Sequence, residues 1–339
     1  MNAPFAFSAS RQSLRTRRQS GAALLAAMLT VMLVATFSAA ALWQQWRSSE
    51  VEAAERGRVQ AAWVLIGALD WSRLILREDA LTGGPDHLAE PWAVPLAEAR
   101  LTSFLSAEKN VASDNLEGLP DAFLSGRVVD AQSKLNVLSL VDGNKPVPAS
   151  VATFTKLFNI LGLPASELSV MTTSLVRALA TGTDAASAGD AGAAPLMPQE
   201  VSQLVWLGLS PSTAAALEPY VTILPIRTPL NINTASAEAI SASLPSLTIS
   251  NARQLVEKRT RSFFKQIADA NTALPNGGDG AQFNAAQHSV STQFFEVYGR
   301  LRLDRTWVEE RSLLQRDGVT VKTIWRNRGA GMTAPPAKP

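Results

Sequence analysis

The chain has 339 residues, of which 46% are hydrophobic and 18% charged, a composition typical of folded globular domains. It has no cysteine, which excludes disulfide bonds, thiolate metal sites and cysteine nucleophiles. Its two histidines exclude an imidazole-rich metal site. The first 21 residues carry four arginines and no acidic residue, so the remainder has 27 basic and 29 acidic residues, a net charge of −2. This balance argues against nucleic-acid binding through bulk charge.

A long apolar segment follows the arginine-rich start. No charged residue occurs from Ala22 to Trp46, and this segment is long enough to cross a hydrocarbon core of about 30 Å. The four arginines before it outnumber Arg47 just after it, so we expect the N-terminus in the cytoplasm and the rest of the chain on the other side. The sequence therefore predicts one transmembrane helix over residues 22–46.

Three interpretations fit this start. A secretory signal peptide would be cut after Ala39-Ala40-Ala41, and a plain signal anchor would not be cut. The third interpretation is a prepilin-type leader that is cut between Gly21 and Ala22, which leaves the apolar helix on the mature protein. A short basic leader that ends in Gly21, directly before the apolar run, favours this third interpretation.

Helical periodicity continues beyond the membrane segment. No proline interrupts residues 22–78, which would form a helix of roughly 85 Å. Gly83-Gly84-Pro85 ends it. We expect its apolar stripe to pack on the protein's own sheet, whereas the membrane part faces partners. The stripe consists of Val51, Ala54, Val59, Ala62, Trp63, Ile66, Leu69 and Leu74.

The rest of the chain changes from strands to helices and back to strands. A short helix is predicted at 97–105, and strands are predicted at 126–130 and 135–138. Helices follow at 154–161 with Gly162 as C-cap, 167–179, 201–207 closed by Gly208, 212–220, a helix capped by Asn233 or Thr234, and 249–258. Residues 181–194 and 275–280 are predicted loops, and strands return at 295–303, 307–316 and 319–327, with a hairpin turn at Asp317-Gly318. Strands on both sides of a helical block predict an inserted domain.

Several motifs together resemble one family, the type II secretion minor pseudopilin K, or general secretion pathway protein K. The motifs are Arg18 to Leu25, Asp86 to Trp92, Gly126 to Leu138, Leu224-Pro225, Pro229 to Ala235, Gln293 to Val297 and Ser312 to Arg316. The resemblance implies an α+β, type IV pilin-like fold. In it a long N-terminal transmembrane helix packs on an antiparallel sheet, and a large all-α domain is inserted in that sheet.

The implied organisation divides the chain into six parts. These are a prepilin leader at 1–21, a long helix at 22–80, the first part of the pilin-like β domain at 81–140, the inserted helical domain at 141–286, the second part of the β domain at 287–328, and a disordered tail at 329–339.

The resemblance implies a structural, non-enzymatic role in protein secretion. Such a protein joins the I-type and J-type minor pseudopilins at the tip of a periplasmic pseudopilus, and it initiates or caps the filament for export of folded proteins across the outer membrane. The other implied partners are the major pseudopilin, the inner membrane and prepilin peptidase, after whose cut Ala22 becomes N-methylated. No nucleic acid is expected.

Two further features bear on this resemblance. Most pilin-like proteins have Glu at the fifth mature position, where Ala26 stands here, and the K family shares this departure. Some family members bind calcium, so the resemblance makes calcium a candidate cofactor. Calcium needs several oxygen ligands, and the sequence shows no cluster of carboxylates, with Asp279 alone among glycines. The calcium ligands therefore stay unassigned.

The alternative from a different class is a membrane-anchored periplasmic DNA-binding protein that uses a helix-hairpin-helix-like segment at 230–259. Its phosphate contacts would be Arg253, Lys258, Arg259, Arg261 and Lys265, which we otherwise expect on a solvated face or a partner surface. The hairpin contains no glycine, which disfavours this alternative.

A periplasmic hydrolase is a third interpretation, and no set of catalytic residues supports it. His288 is expected at the surface or at a sheet edge, and Asp130 is expected to order a turn.

Overall fold

The structure is a computed structural model that describes residues 20–102, 122–180, 194–274, 282–303 and 306–330. It divides into two compact units, one ending at Val59 and one beginning at Gln60. Several predicted segments lie wholly or partly outside the described residues. They are the leader up to residue 19, residues 103–105 of the helix predicted at 97–105, residues 181–193 of the loop predicted at 181–194, the loop predicted at 275–280, and the tail from residue 331.

The helices and strands follow in this order. The first part of the chain forms α1 (Ser20–Thr82), β1 (Leu96–Arg100), β2 (Ala122–Asp130), β3 (Leu135–Asn136), β4 (Val141–Asp142) and β5 (Lys145–Pro146). The central part forms α2 (Pro148–Leu161), α3 (Ala165–Leu179), a 3-10 helix (Val201–Leu207), α4 (Pro211–Leu217), β6 (Val221–Thr222), β7 (Leu230–Asn231), α5 (Ala237–Ser243), α6 (Ile249–Arg261) and α7 (Ile267–Ala273). The last part forms β8 (His288–Ser289), β9 (Phe294–Leu303), β10 (Thr306–Asp317) and β11 (Thr320–Ala330).

One five-stranded antiparallel sheet joins strands from both ends of the second unit. The strand order is β1-β2-β9-β10-β11. The central pair β2–β9 matches Ala122 with Leu303 and Asp130 with Phe295, although a mainly helical block separates the two strands in sequence. Together with α1, this sheet confirms the expected α+β class. The chain leaves the sheet at the end of β2, forms the helical block, and returns to the sheet at β9.

Helix α1 packs on one face of this sheet through a narrow apolar edge. Leu69 and Leu76 pack with Phe295 and Leu314, and Leu65 belongs to a second apolar cluster with residues of β2, β9 and β10. Burying each of these leucines contributes roughly 1.5–3 kcal/mol. The predicted stripe therefore lies on the wrong side of the helix. Leu69 is the one stripe residue that is buried, whereas Trp63 and Leu74 are exposed.

The helical block has its own apolar core. Phe154, Phe158, Met171 and Leu175 of α2 and α3 are almost completely buried in it. The predicted glycine ends of two helices are confirmed, because Gly162 (φ 68°) and Gly208 (φ 97°) adopt the left-handed conformation that favours glycine. The helix at 201–207 is a 3-10 helix rather than an α-helix.

Four predicted elements differ in the structure. Residues 96–100 form strand β1 instead of the start of a helix, because their backbone pairs with β2. The strand predicted at 135–138 ends after Asn136, whose side chain accepts a hydrogen bond from Leu138 N and starts a 3-10 turn. The cap of α5 is Ser236, which accepts from Ala239 N, and not Asn233 or Thr234. Strand β11 continues beyond residue 327 to Ala330 because it stays paired with β10.

A pair of facing glycines tests the close packing of the central strands. Gly126 lies opposite Gly299, and a Cβ atom at Gly126 would lie 2.9 Å from the backbone oxygen of Tyr298. Because this oxygen cannot move aside, Gly126→Ala should lower the free energy of unfolding by about 1–3 kcal/mol, as measured by urea unfolding. Gly329→Ala in β11 is the matched control: a Cβ atom there meets nothing within 4 Å, so its effect should be smaller than about 0.5 kcal/mol. Equal effects of the two variants would contradict the packing described here.

Candidate functional site

The first unit presents apolar side chains that the described protein leaves exposed. Every residue from Gly21 to Arg56 is exposed, including Leu24, Phe37 and Trp43. This part of α1 is long and apolar enough to cross a membrane, and α1 is the one helix among the described residues that meets this criterion. The predicted processing residues Gly21 and Ala22 and the fifth mature residue Ala26 lie in the first turns of the helix.

In the second unit, α1 has an exposed apolar side opposite its buried edge. The side chain of Trp63 is 69% exposed and that of Leu74 is 51% exposed. A tryptophan of this exposure contributes little to the stability of its own domain, and tryptophan is enriched among the residues that dominate protein interfaces. We therefore interpret Trp63 as part of a contact surface.

A buried polar junction joins the end of β2 to the helical block. The carboxylate of Asp130 accepts hydrogen bonds from Gln132 N (2.7 Å), Asn231 Nδ2 (2.8 Å) and Thr234 Oγ1 (2.5 Å). Complete burial raises the pKa of Asp130 to about 6, and these hydrogen bonds oppose the rise. The expected role of Asp130 in ordering a turn is confirmed, and the residue also holds the segment from Asn231 to Thr234.

The same junction includes the loop that follows α1 and the start of β9. Asp86 accepts from Thr292 N at 2.7 Å, and its backbone oxygen accepts from Asn231 Nδ2 at 3.3 Å. The guanidinium of Arg316 donates to Asp79 (2.6 Å) and to Asp86 (2.5 Å). Burial is the largest cause that raises the pKa of Asp86, and Arg316 opposes it. Residues far apart in sequence are thus fixed at one point.

Asp79 and Asp86, together with Glu90, form a carboxylate cluster that the sequence analysis missed. One oxygen of each residue lies within 4.8 Å of the others. Glu90 accepts from His87 N (3.0 Å) and from Trp92 Nε1 (2.6 Å), and burial raises its pKa to about 7. The signal was present in the motif from Asp86 to Trp92, but the contribution of α1 and the insertion of Arg316 depend on the fold.

This cluster does not fit a calcium site. Arg316 already binds one oxygen each of Asp79 and Asp86, and Thr292 N takes the second oxygen of Asp86. Calcium requires six to eight oxygen ligands, and an ion here would also meet the positive charge of the guanidinium. Asp279 lies outside the described residues.

The helix-hairpin-helix-like segment has the wrong polarity for phosphate binding. Its hairpin, between α5 and α6, turns the carbonyl oxygens of Leu244 and Leu247 toward Lys156 Nζ, each at 2.6 Å. A phosphate-binding hairpin would present N–H groups instead. Arg259, predicted on a solvated face or a partner surface, is instead buried and donates to Ile232 O at 2.6 Å, and burial lowers its pKa to about 10. It therefore serves packing.

The four other basic residues of this segment stay at its surface. Arg253, Lys258, Arg261 and Lys265 are exposed, and Lys258 Nζ donates to Ala273 O at 2.8 Å.

His288 lies in β8, an edge strand of a two-stranded sheet, so the expected sheet-edge position is confirmed, but its side chain is buried and not at the surface. Its Nε2 atom lies 3.0 Å from Ser243 Oγ. Ser243 is no activated nucleophile, because its hydroxyl donates to Ile240 O at 2.8 Å and a hydroxyl has one proton to donate. The pair closes the contact between α5 and β8, and it gives no support to hydrolase chemistry.

Family models match the central part of the chain, and known proteins match more than nine-tenths of it. Two models described as type II secretion system (T2SS), protein K match residues 230–291 and 133–226. Type II secretion system protein K of Pseudomonas aeruginosa is 27% identical over 93% of this chain and 94% of its own length. The protein of the same name from Klebsiella pneumoniae is 29% identical over 92% of this chain and 97% of its own length.

A solved structure shares the fold. It is a chain in the crystal structure of the GspK-GspI-GspJ complex from the type 2 secretion system of enterotoxigenic Escherichia coli. The TM-score is 0.60 at 19% identity, and the match covers 82% of this chain and 99% of that chain. The fold of the aligned part of this chain therefore occurs in a solved structure.

The buried histidine predicts a defined pH dependence. Burial lowers the pKa of His288 to about 4 from its usual 6.5. Because the unfolded chain takes up this proton first, the free energy of unfolding should fall as the pH drops from 6.5 towards 4, by roughly 3 kcal/mol in full. Asp130, with its raised pKa, acts in the opposite direction between pH 3.8 and about 6.

Urea unfolding of two variants at several pH values separates the contribution of His288 to the pH dependence of stability from that of other groups. His288→Gln should flatten the acid-side fall relative to the unsubstituted protein, whereas His87→Gln, at a half-buried histidine, should retain most of it. The same pH profile for His288→Gln and the unsubstituted protein would show that His288 does not titrate as described.

Proposed function

Because the chain belongs to the type II secretion system protein K family, we propose that it is a minor pseudopilin that joins the I-type and J-type minor pseudopilins at the tip of the pseudopilus. There it initiates or caps the filament for export of folded proteins across the outer membrane. The observation that carries the proposal is helix α1, whose apolar side chains are exposed from Gly21 onward in the first unit and again at Trp63 in the second. Such a helix needs a membrane or neighbouring helices to cover it.

We propose that this helix is stored in the inner membrane as a single pass. The arginines of the leader favour a cytoplasmic N-terminus, which leaves the sheet and the helical block in the periplasm. Prepilin peptidase cuts between Gly21 and Ala22, Ala22 is N-methylated, and the helix stays on the mature protein. Residues 1–21 then serve as the leader, 22–80 as the helix, 81–140 and 287–328 as the two parts of the β domain, and 141–286 as the inserted domain. Of the predicted tail at 329–339, Gly329 and Ala330 belong to β11.

Ala26 supports a position at the tip. An unpaired carboxylate inside the membrane costs roughly 2.5–3.5 kcal/mol on insertion scales. A glutamate at this position in other pilin-like proteins pairs with the N-terminal amine of a neighbour, and a subunit at the tip has no subunit above it to neutralise. An apolar residue at Ala26 avoids that cost.

The proposed activity is assembly and not catalysis or nucleic-acid binding. Trp63 and the membrane part of α1 would contact the neighbouring I-type, J-type and major pseudopilins, and the inserted domain would present a broad surface at the tip. The hairpin that turns its carbonyl oxygens toward Lys156 argues against DNA binding. The hydroxyl of Ser243, which already donates its proton to Ile240 O, argues against hydrolysis.

Processing is tested first on protein purified from membranes with and without prepilin peptidase. Intact mass and N-terminal sequencing should show a chain that starts at methylated Ala22 only when the peptidase is present. The same cut should fail in Gly21→Asp, while Ser20→Ala serves as the neighbouring control. An N-terminus near Leu42 would mean ordinary signal peptidase processing, and the pseudopilin proposal would be abandoned.

The contact surface is tested by truncating its exposed tryptophan. Trp63→Ala should weaken binding of the mature protein to the cognate I-type and J-type pseudopilins by about 2 kcal/mol, some thirtyfold in Kd, because a desolvated aromatic anchor is lost. Its unfolding curve should be unchanged, since the side chain is exposed. Trp206→Ala, at a 46% exposed tryptophan of the helical block, is the matched control. Unchanged affinity of Trp63→Ala in calorimetric titrations would exclude this surface.

A further inference from the structure

The guanidinium of Arg316 occupies the centre of the carboxylate cluster formed by Asp79, Asp86 and Glu90. We propose that Arg316 is a built-in counter-cation, so that this chain holds the end of α1, the loop after it and the hairpin β9–β10 together without a divalent cation. The inference goes beyond the assembly role, because it concerns what the junction itself depends on.

Accounting for the individual oxygen atoms supports this assignment. Arg316 Nη1 lies 2.6 Å from Asp79 Oδ2, and its Nη2 lies 2.5 Å from Asp86 Oδ1 and 3.0 Å from the backbone oxygen of Thr292. The backbone N–H of Thr292 donates a hydrogen bond to Asp86 Oδ2. Each of these oxygens is of a kind that would ligate calcium, and each is already used by a donor of the protein.

The surroundings of Arg316 hold the guanidinium in this position. Its side chain is 11% exposed, and those of Asp79 and Asp86 are 12% and 2% exposed. The guanidinium carbon lies 4.8 Å from the centre of the Phe295 ring, so the charge is stacked as well as paired. A planar guanidinium matches two carboxylates at once and stays charged at every physiological pH. The cross-link therefore does not depend on ion concentration.

One oxygen of the remaining acid of the cluster is also bound by donors of the protein. Glu90 Oε2 accepts from Trp92 Nε1 at 2.6 Å and from His87 N at 3.0 Å. With Arg316 in place, a cation would have to displace the guanidinium to gain a complete oxygen shell. Without Arg316, three carboxylates and the backbone oxygen of Thr292 would face one another unneutralised, which is the ligand chemistry that a hard cation prefers.

The first test uses the unsubstituted full chain in detergent. Thermal unfolding with calcium chloride and with EGTA should give Tm values that agree within about 1 °C, because a ligand shifts Tm only if it binds the folded state. A rise of Tm with calcium that is lost in Asp86→Asn would overturn the proposal, since it would show an ion bound at the cluster.

The second test asks whether the removal of Arg316 creates a cation site. Arg316→Gln should gain saturable terbium luminescence excited through Trp92, which is hydrogen-bonded to Glu90, and calcium should compete for it. Calcium should also raise the Tm of this variant. Arg328→Gln is the matched control, because Glu310 keeps Arg326 as a partner and belongs to no group of three carboxylates among the described residues.

Each outcome of the second test decides something. A folded Arg316→Gln that binds no terbium would show that the guanidinium does not occupy a cation position, and the proposal would fall. If Arg316→Gln folds only with calcium, the proposal is supported. If it does not fold at all, Arg316→Lys, which keeps the charge, is expected to fold without terbium binding, and a calcium-dependent Tm of Arg316→Lys would count against the proposal.

Discussion

The structure of the second unit depends on one buried carboxylate, that of Asp130. The chain leaves the sheet at this residue, and its carboxylate is bound by the side chains of Asn231 and Thr234, about a hundred residues later. A completely buried carboxylate is costly unless donors surround it. Here a backbone amide, a side-chain amide and a hydroxyl supply the donors. Because the carboxylate is satisfied only when all three are in place, these hydrogen bonds favour one arrangement of the helical block against the sheet.

The return of the chain to the sheet is fixed by a second set of contacts around the same point. Gln132 uses both ends of its amide, donating to Pro229 O and accepting from Gln293 N. Asp86 and Arg316 add a cross-link from the end of α1 to the hairpin β9–β10. Because every one of these residues is held by at least two others, the loss of one donor leaves a buried polar group short of one hydrogen bond while its other partners remain.

Local patterns in the sequence predicted the elements well, and long-range pairing decided the differences. The glycine ends of α2 and of the 3-10 helix follow from backbone geometry alone. The hairpin between β10 and β11 was also predicted, but its turn residues are Gly318 and Val319 instead of Asp317 and Gly318, because Asp317 pairs with Thr320. Residues 96–100 became a strand because β2 lies beside them, which no local signal shows. The helix stripe was misread because Trp63 and Leu65 are both apolar, and only the position of the sheet decides which one is buried.

The junction itself was half visible in the sequence. Asp130 and the segment from Pro229 to Ala235 stood out as motifs, yet nothing local indicated that they bind each other. The same holds for Arg316, which in sequence is one of several charged residues in a strand. Its role as the shared ion-pair partner of Asp79 and Asp86 depends on the fold, which brings these residues together.

Exposure and burial along α1 follow from the two demands on this helix. An edge that includes Leu65, Leu69 and Leu76 packs on the sheet and stabilises the second unit, whereas Trp63 stays exposed. A protein that acts alone gains nothing from an exposed tryptophan on a rigid helix. A subunit that is stored singly and assembles later needs both features, since its own fold must be complete before a partner covers the remaining apolar surface. In the assembly proposed above, the orientation in which the helical block is presented follows from the contacts of Asp130 and Arg316.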